Sequence, residues 1–201
     1  MIRIIKNQII KISYNIFSLF IDLFSSIFGI SITLPILIII AVLIKLEDKG
    51  PIFYSQVRCG KDGKEFNIYK LRSMKVNSGM IMWAKKDDDR ITKVGRFIRI
   101  ARIDELPQFF NVLKRDMSLI GPRPEVVELT YKFDKEIEGF TNRLKVRPGI
   151  TGWAQVNGGY DLSPREKLEY DMYYINNRSI KLDILIIFKT FQVILNGKGA
   201  R

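Results

Sequence analysis

The sequence predicts a helix-rich α/β protein, a small single domain with a short β-hairpin, attached to an N-terminal membrane helix that is kinked at a proline. Three observations predict this fold: a long uncharged apolar segment, two alternating segments around a tight turn, and several amphipathic segments with helix caps. A length of 201 residues is enough for one domain with an appendage. We therefore assign residues 1–44 to the membrane and residues 45–201 to a domain at its surface.

The membrane segment is the first element. No residue from Leu23 to Ile44 is charged, and a helix of this length measures about 33 Å, enough to cross a hydrocarbon core of about 30 Å. Pro35 lies inside the run and removes one backbone hydrogen-bond donor, so we expect a hinge there. The helix can then either span the membrane or bend at Pro35 and leave on the side where it entered.

Charge favours the second arrangement. Arg3, Lys6 and Lys11 precede the apolar segment, and the domain that follows it is basic as well. Positive charge on both flanks does not distinguish an inside from an outside, whereas a re-entrant helix keeps both flanks on one face. We therefore predict a re-entrant helix, with Asp22 near the depth of the lipid headgroups, where an ionisable group costs less than at the bilayer centre.

A β-hairpin is predicted next, because residues alternate over Ile52–Arg58 and Glu65–Leu71 and because Asp62-Gly63 between them is typical of a tight turn. In the last predicted helix, Ile180–Leu195, the apolar residues lie either on the membrane surface or in the protein core. Helical spacing or capping signals predict five helices: Ile91–Ala101, Leu106–Leu113, Glu125–Ile137, Pro164–Ile175 and Ile180–Leu195.

Composition narrows the function. The chain has 33 Lys and Arg against 21 Asp and Glu, a net charge of +12, which indicates an anionic partner such as nucleic acid, a phosphorylated ligand or a lipid surface. The absence of His excludes a Ser-His-Asp triad and a His-ligated metal. One cysteine, Cys59, excludes an intramolecular disulfide. Catalysis must then use carboxylates, Lys, Tyr, Ser, Thr or an oxygen-liganded ion.

Asp104 and Glu105 form the main candidate for a catalytic pair. They precede a predicted helix with Pro107 near its start, and Arg99 and Arg102 lie close by in the sequence. A carboxylate at this position can simply cap the helix. Adjacent carboxylates among cations can also divide two tasks, so that one attacks an electrophile and the other holds a divalent cation.

Three further motifs are candidate ligand sites. The two prolines of Gly121–Pro124 fix an arginine that suits phosphate, or they form a rigid loop with an exposed Arg. The Gly-rich segment 147–159 offers Trp153 to stack on a base and Gln155 to bind its polar edge, or it is a turn with a core Trp. Asp87–Asp89 contains an Asp-x-Asp pattern that can hold a metal, or it is a solvated loop.

Together these motifs resemble one family, the bacterial sugar transferases, which are small monotopic phosphoglycosyl transferases acting on polyprenyl phosphate. The resemblance covers nearly the whole chain and includes Asp22 and Pro35. It departs from the family pattern at Gly159, where Arg is common, and at Arg102, where Ser or Thr is common. The other matching motifs follow in the family's order: Lys49–Phe53, Gln56–Arg58, Tyr69–Met74, Asp89–Arg96, Asp104–Gln108, Gly121–Pro124 and Pro148–Gly158.

The resemblance implies a re-entrant helix, a Mg²⁺ cofactor, and a location on the bacterial inner membrane with the catalytic domain on the cytoplasmic face. It also implies a two-step exchange. Asp104 would attack the β-phosphate of a UDP-sugar and release UMP, Glu105 would hold the Mg²⁺, and polyprenyl phosphate would then accept the phosphosugar. The residues implied to contact substrate or phosphate are Lys70, Arg72, Arg99, Gln108, Arg123, Trp153 and Gln155.

Two other functions stay open from the residues alone. One is a metal-dependent glycosyltransferase that uses Asp87 and Asp89 and releases UDP. The other is a non-enzymatic basic adaptor that binds anionic lipid or nucleic acid through its net charge. The leading hypothesis assigns the charge to membrane lipid, diphosphate donor and phosphate acceptor, with no nucleic acid, and it needs no His because the acceptor is already ionised. It leaves the sugar unidentified and allows a homo-oligomer.

Overall fold

The structure is a computed structural model that describes residues 2–76 and 88–196. Helices dominate and two small sheets accompany them, so the predicted fold class is confirmed. The helices are α1 (Ile2–Asp48), α2 (Lys93–Ile100), α3 (Gln108–Leu113), α4 (Val127–Glu136), α5 (Trp153–Asn157), α6 (Pro164–Asn176) and α7 (Ile180–Leu195). The strands are β1 (Phe53–Cys59), β2 (Glu65–Leu71), β3 (Ser118–Ile120) and β4 (Gly149–Thr151).

The helix α1 continues through Pro35 and ends at Asp48, four residues beyond the boundary chosen from the sequence. Among the described residues, it is the one helix long and apolar enough to cross a membrane. Much of its apolar surface is exposed, as at Ile16 and Phe20. The re-entrant path of this helix remains a prediction.

The second half of α1 packs on the folded domain. At Gly29 a side chain would lie 2.8 Å from the ring of Phe109, so the glycine allows α1 to approach α3 closely. Further along, α1 contributes to a buried cluster with β2 and α2, so it is part of the domain's core as well as an apolar helix. The members of this cluster are Leu37, Ile40, Ile44, Leu71 and Ile98.

The predicted hairpin is confirmed. β1 and β2 pair antiparallel, with Phe53 opposite Leu71 and Cys59 opposite Glu65. The tight turn lies where Asp62-Gly63 predicts it, and both residues have positive φ, 56° and 78°. The hairpin thereby places the end of β2 against α1 and next to the 3₁₀ turn Ile103–Glu105.

A second sheet has no counterpart among the sequence predictions. β3 and β4 pair in parallel, with Ser118 opposite Gly149 and Ile120 opposite Thr151. Each strand has only three residues, too few for an alternating pattern to stand out. Because parallel strands end at the same edge, the loops that follow β3 and β4 emerge side by side.

The five predicted helices are confirmed with small changes at their ends. Ser163 and Glu166 form the predicted capping box at the start of α6, and α7 has the predicted bounds. The apolar residues of α7 do not all lie in the core. Ile186 is buried there, while Phe188 and Phe191 are exposed, as placement on a membrane surface requires.

Candidate active site

Asp104 and Glu105 lie in the 3₁₀ turn between α2 and α3. Arg102 precedes this turn with a φ of 56°, a left-handed conformation that non-glycine residues rarely adopt, and it ends the run of α2. Leu106, directly after the turn, packs against the core cluster of α1 and β2. An apolar neighbour thus fixes the turn while both carboxyl groups remain partly accessible.

Two cations hold Glu105. Lys70, near the end of β2, donates through Nζ to Glu105 Oε1 at 2.8 Å, and Arg123 donates to the same oxygen at 2.6 Å. Burial alone would raise the pKa of Glu105, but the charges of Arg123 and Lys70 hold that pKa well below its usual range. Glu105 is therefore ionised and fixed in place at neutral pH.

Asp104 has a different electrostatic environment. Burial, followed by the negative charge of Glu105, raises the pKa of Asp104 to about 6, although Lys70, Arg99 and Arg123 partly oppose the shift. A carboxylate with a pKa near the working pH keeps more basicity than one held by direct ion pairs, which suits a nucleophile. The two carboxyl groups thus differ: Asp104 has a raised pKa, and Glu105 is held by the side chains of Lys70 and Arg123.

A buried ion pair between Arg143 and Asp171 supports the loop that carries Arg123. Arg143, which is 3% exposed, donates to the main-chain carbonyl of Arg123 at 2.9 Å. Its Nε donates to Asp171 at 3.0 Å, and Asp171 is 1% exposed. The sequence analysis missed both residues, because neither belongs to a motif that distinguishes it from a surface charge. The loop that carries Arg123 is therefore held by α6 through Arg143.

Arg72 and Gln108, two of the residues that the resemblance implies as substrate contacts, are buried within the protein. Arg72 is buried and forms an ion pair with Asp48 at the end of α1. Gln108 is 2% exposed, and its buried Nε2 has no hydrogen-bond partner among the described residues. The structure thus brings Lys70, Arg99 and Arg123 to the carboxylate pair, while substrate contacts by Arg72 and Gln108 stay predictions.

Trp153 and Gln155 make contacts within the protein. The Trp153 ring stacks on Tyr173 with a centroid distance of 5.7 Å, and Lys189 Nζ lies 4.9 Å from the same ring centroid. Gln155 donates through Nε2 to the carbonyl of Ile150 at 2.8 Å. The base-stacking and edge-binding roles of Trp153 and Gln155 therefore stay predictions.

The Asp-x-Asp alternative gains no support from the part of the chain that the structure describes. Asp87 lies outside the described residues. Asp88 accepts a hydrogen bond from Arg90 Nε at 2.7 Å, so its carboxylate is engaged locally. Within the described ranges, no group of three or more Cys, Asp or Glu side chains is placed to hold a metal ion.

The sequence that forms this site matches a known family. The family model described as bacterial sugar transferase matches residues 13–197. The chain belongs to this family. The resemblance found from the motifs is thereby confirmed over nearly the whole chain.

Individual sugar transferases are also similar to this chain. A protein of Aeromonas hydrophila, named UDP-N-acetylgalactosamine-undecaprenyl-phosphate N-acetylgalactosaminephosphotransferase, is 51% identical over 185 residues, which cover 90% of this chain and 44% of the relative. The UDP-glucose:undecaprenyl-phosphate glucose-1-phosphate transferase of Escherichia coli (strain K12) is 46% identical over 163 residues, covering 78% of this chain and 35% of the relative.

For one shorter relative, the match covers most of both sequences. EpsL of Bacillus subtilis (strain 168), named an uncharacterized sugar transferase, is 40% identical over 181 residues, which cover 89% of this chain and 87% of EpsL. The chain therefore spans less than half the length of the two relatives that are named for a donor and an acceptor, and most of the length of EpsL.

The residues of this sugar transferase fit the Mg²⁺ that the family implies. Mg²⁺ prefers one or two carboxylates completed by water and substrate phosphates over a cage built from protein alone. Asp104 and Glu105 supply two adjacent carboxylates, and Glu105 is ionised at neutral pH. The donor set is thus suited to a Mg²⁺ that arrives with a diphosphate.

Both departures from the sugar transferase pattern have left-handed backbone. Gly159 has a φ of 60°, and a side chain there would meet no atom within 4 Å. The space would accept the arginine common in the family, but the conformation disfavours any side chain. Arg102 adopts a φ of 56° despite its side chain, so the family's small residue would be strained there as well.

Proposed function

We propose that the protein is a phosphoglycosyl transferase that moves a sugar 1-phosphate from a UDP-sugar to undecaprenyl phosphate and releases UMP. The observation that carries the proposal is the division of the carboxylate pair, in which Glu105 binds two cations and Asp104 keeps a pKa of about 6. The printed names of two relatives support the classes of donor and acceptor.

In the first step, an Asp104 carboxylate oxygen attacks the β-phosphorus of the UDP-sugar. A bond forms between that oxygen and phosphorus, and the bond from phosphorus to the bridging oxygen of the diphosphate breaks. The electron pair leaves with UMP, and the sugar phosphate stays on Asp104 as an acyl phosphate. No proton needs to move, because the nucleophile and the leaving group are both anions.

In the second step, a phosphate oxygen of undecaprenyl phosphate attacks the same phosphorus. The bond from phosphorus to Asp104 breaks, which regenerates the carboxylate and gives an undecaprenyl diphosphate sugar. A covalent intermediate allows a soluble donor and a lipid acceptor to use one site in turn. The proposed product would start a surface glycan or glycoconjugate.

Cations make this attack feasible, since a diphosphate repels an approaching carboxylate. Lys70 and Arg123 converge on Glu105 beside the nucleophile, and Arg99 contributes positive charge at Asp104. These groups are placed to bind donor phosphates and to offset the charge that develops on the leaving phosphate. A bound Mg²⁺, held by Glu105, would add electrostatic stabilisation of the diphosphate.

The proposed location is the bacterial inner membrane, with a re-entrant α1 and the catalytic domain on the cytoplasmic face. α1 is long and apolar, and its second half packs on the domain that carries the carboxylates. The first half also contacts the domain, since Tyr14 donates to Asp183 and Asp22 accepts from Ser118, and contacts of both halves favour a path in which both ends of α1 stay on the side of the domain. It also keeps Asp104 near the lipid surface where the acceptor phosphate lies.

The activity is tested with purified protein, Mg²⁺, undecaprenyl phosphate and a panel of UDP-sugars led by UDP-N-acetylgalactosamine and UDP-glucose, the donors named for the two relatives. The expected product is UMP, and Asp104→Asn is expected to release none above background. Release of UDP with Asp104→Asn still active would favour the metal-dependent glycosyltransferase. Absence of any nucleotide product with every donor would favour the adaptor.

The re-entrant path is tested by cysteine labelling in intact cells. The native Cys59 is buried, so a Cys59→Ala background is used with new cysteines at two exposed positions, Gln8→Cys in α1 and Asn177→Cys after α6. A membrane-impermeant maleimide is expected to label neither site until the cells are opened. Labelling of Gln8→Cys alone in intact cells would show that α1 spans the membrane.

A further inference from the structure

The end of α1 meets two elements that lead to the carboxylate pair. Its last two residues, Glu47 and Asp48, each make a polar contact with a different element. Glu47 contacts the start of α2, which leads directly into the turn Ile103–Glu105. Asp48 contacts Arg72, which lies two residues after Lys70. One turn of α1 is thus attached to both chain segments that form the site.

Glu47 binds two backbone N–H groups at the start of α2. Its Oε1 accepts from the N–H of Lys93 at 2.7 Å, and its Oε2 accepts from the N–H of Val94 at 3.1 Å. The first four N–H groups of a helix have no partner within the helix. Of the other two, one donates to the Thr92 hydroxyl at 2.9 Å, and that of Thr92 itself donates to the carbonyl of Ser73 at 3.1 Å. Half of these groups therefore depend on a side chain from α1.

The chemistry of Glu47 suits this position. A helix N-terminus carries partial positive charge, and a charged acceptor forms a stronger hydrogen bond than a neutral one. The first turn of α2 has no acidic residue of its own, so the negative charge comes from α1. Because each oxygen of Glu47 binds a different N–H, the carboxylate fixes the direction of α2 as well as its distance from α1. Glu47 is exposed, so its replacement leaves no buried charge.

Apolar packing connects the position of α2 to the turn that follows it. Ile98 of α2 is fully buried in a cluster with Leu71 of β2 and with Ile44, three residues before Glu47. Ile103, the first residue of the turn, packs against the same cluster. α2 has eight residues and is about 12 Å long. Because this helix is short and buried at its middle, a shift at its start also moves the turn.

The contact of Asp48 fixes the chain segment that carries Lys70. Asp48 forms an ion pair with the buried Arg72, and the N–H of Arg72 donates to the carbonyl of Ile52 at 2.8 Å. Two residues earlier, Lys70 donates to Glu105 at 2.8 Å. The contacts therefore close a ring, which runs from α1 through α2 to Glu105 and returns through Lys70 and Arg72 to α1.

We propose that Glu47 is a positioning residue of the active site, which holds α2 on the end of α1 and thereby fixes the turn of Asp104 and Glu105 where Lys70 reaches it. Glu47 touches neither carboxylate and acts through α2. Its effect on the turn follows from the contacts alone, whereas its effect on the rate rests on the proposed transferase function. The end of α1 is then a part of the active site's framework as well as the end of an apolar helix.

Hydrogen exchange of the full chain in detergent, followed by mass spectrometry, tests the effect on the turn without turnover. The amides of Glu105 and Leu106 bond within the turn at 3.3 and 3.2 Å. Glu47→Ala is expected to speed their exchange about fivefold, because the turn then opens more often. Thr92→Ala removes a different cap of the same helix and is expected to speed exchange at the start of α2 only. Unchanged exchange of the turn in Glu47→Ala, or an equal change in both variants, would overturn the proposal.

Donor turnover tests the consequence for the reaction. Glu47→Ala is expected to lower kcat/KM for the UDP-sugar about fivefold, and to lower it no further when Lys70→Gln is already present, because both act on one contact. Glu47→Gln keeps one acceptor oxygen and is expected to restore part of the loss. Thr92→Ala is the control, and its effect is expected to multiply with that of Lys70→Gln. Multiplying effects of Glu47→Ala and Lys70→Gln would contradict the positioning role. If the unmodified chain releases no UMP, the proposed function is wrong, and the exchange result alone decides whether Glu47 fixes the turn.

Discussion

Asp104 and Glu105 are adjacent in one 3₁₀ turn, yet their pKa values shift in opposite directions. Both carboxyl groups are affected by burial. The difference comes from direct contacts, because Lys70 and Arg123 donate to Glu105 and leave Asp104 beside its negative charge. One turn of chain thus carries a carboxyl group with a raised pKa and another with a lowered pKa that is paired with Lys70 and Arg123.

The raised pKa of Asp104 predicts a pH dependence for the first step. Attack needs the ionised carboxylate, so kcat/KM for the UDP-sugar is expected to fall as pH drops through about 6, approaching tenfold per pH unit below it. The measurement is UMP release at low donor concentration between pH 5 and 8.5. Because this parameter reports the free enzyme and the donor, ionisation of the acceptor phosphate does not enter. A flat profile over that range would contradict the assignment.

The same shift predicts a stability effect. The pKa of Asp104 is higher in the folded state than its usual value of 3.8. Its favourable contribution to folding is therefore present below about pH 4 and is lost as pH rises through about 6. Asp104→Asn is expected to stabilise the protein by about 1–2 kcal/mol at pH 7.5 and by about half as much at pH 5. Thermal unfolding at the two pH values measures this, and a less stable Asn variant at pH 7.5 would be the opposite result.

Lys70 is expected to matter through Glu105. Lys70→Gln removes one of two cations on a partly buried carboxylate, which raises the pKa of Glu105 and weakens the binding of donor phosphates. We expect kcat/KM for the donor to fall at least tenfold and its pH profile to change. Lys64→Gln, an exposed substitution in the same hairpin, serves as the control and is expected to change little. Equal effects of both substitutions would mean that net charge alone is responsible.

The Arg143–Asp171 pair predicts separable effects on stability and activity. Removing one partner, as in Asp171→Asn, leaves buried Arg143 with Glu125 at 3.8 Å and is expected to cost about 3 kcal/mol, the low end for a broken buried pair. The double variant Arg143→Met with Asp171→Leu is expected to regain much of that stability, because both charges are gone. It is not expected to regain kcat, since nothing then holds the carbonyl of Arg123. Recovery of both quantities would show that the pair only stabilises the fold.

Much of the fold could be predicted from local patterns. The hairpin, the capping box at Ser163 and the bounds of α7 all rest on residues close together in the chain. The β3–β4 pair could not be predicted, because each strand is short and its partner lies about 30 residues away. The path of α1 along the domain is likewise set by tertiary contacts such as Gly29 with Phe109.

The candidate site likewise combines residues that the sequence identifies with residues that only the fold reveals. Asp104, Glu105 and Arg123 stand out through adjacent carboxylates and flanking prolines, and the resemblance adds Lys70. Arg143 and Asp171 are common residue types without a motif, and only the fold shows that they support Arg123. Arg72 lies two residues from Lys70 in the same motif, but it pairs with Asp48, a contact that sequence spacing does not reveal.

The central claim is that Asp104 becomes covalently loaded with a sugar phosphate. The most direct test mixes the full chain with Mg²⁺ and a UDP-sugar, without undecaprenyl phosphate, and follows intact mass and UMP together. The account predicts one equivalent of UMP and a mass increase of one sugar phosphate, which peptide mapping places on Asp104, with neither seen in Asp104→Asn. UMP that appears only when undecaprenyl phosphate is added, with no adduct on the protein, would contradict it.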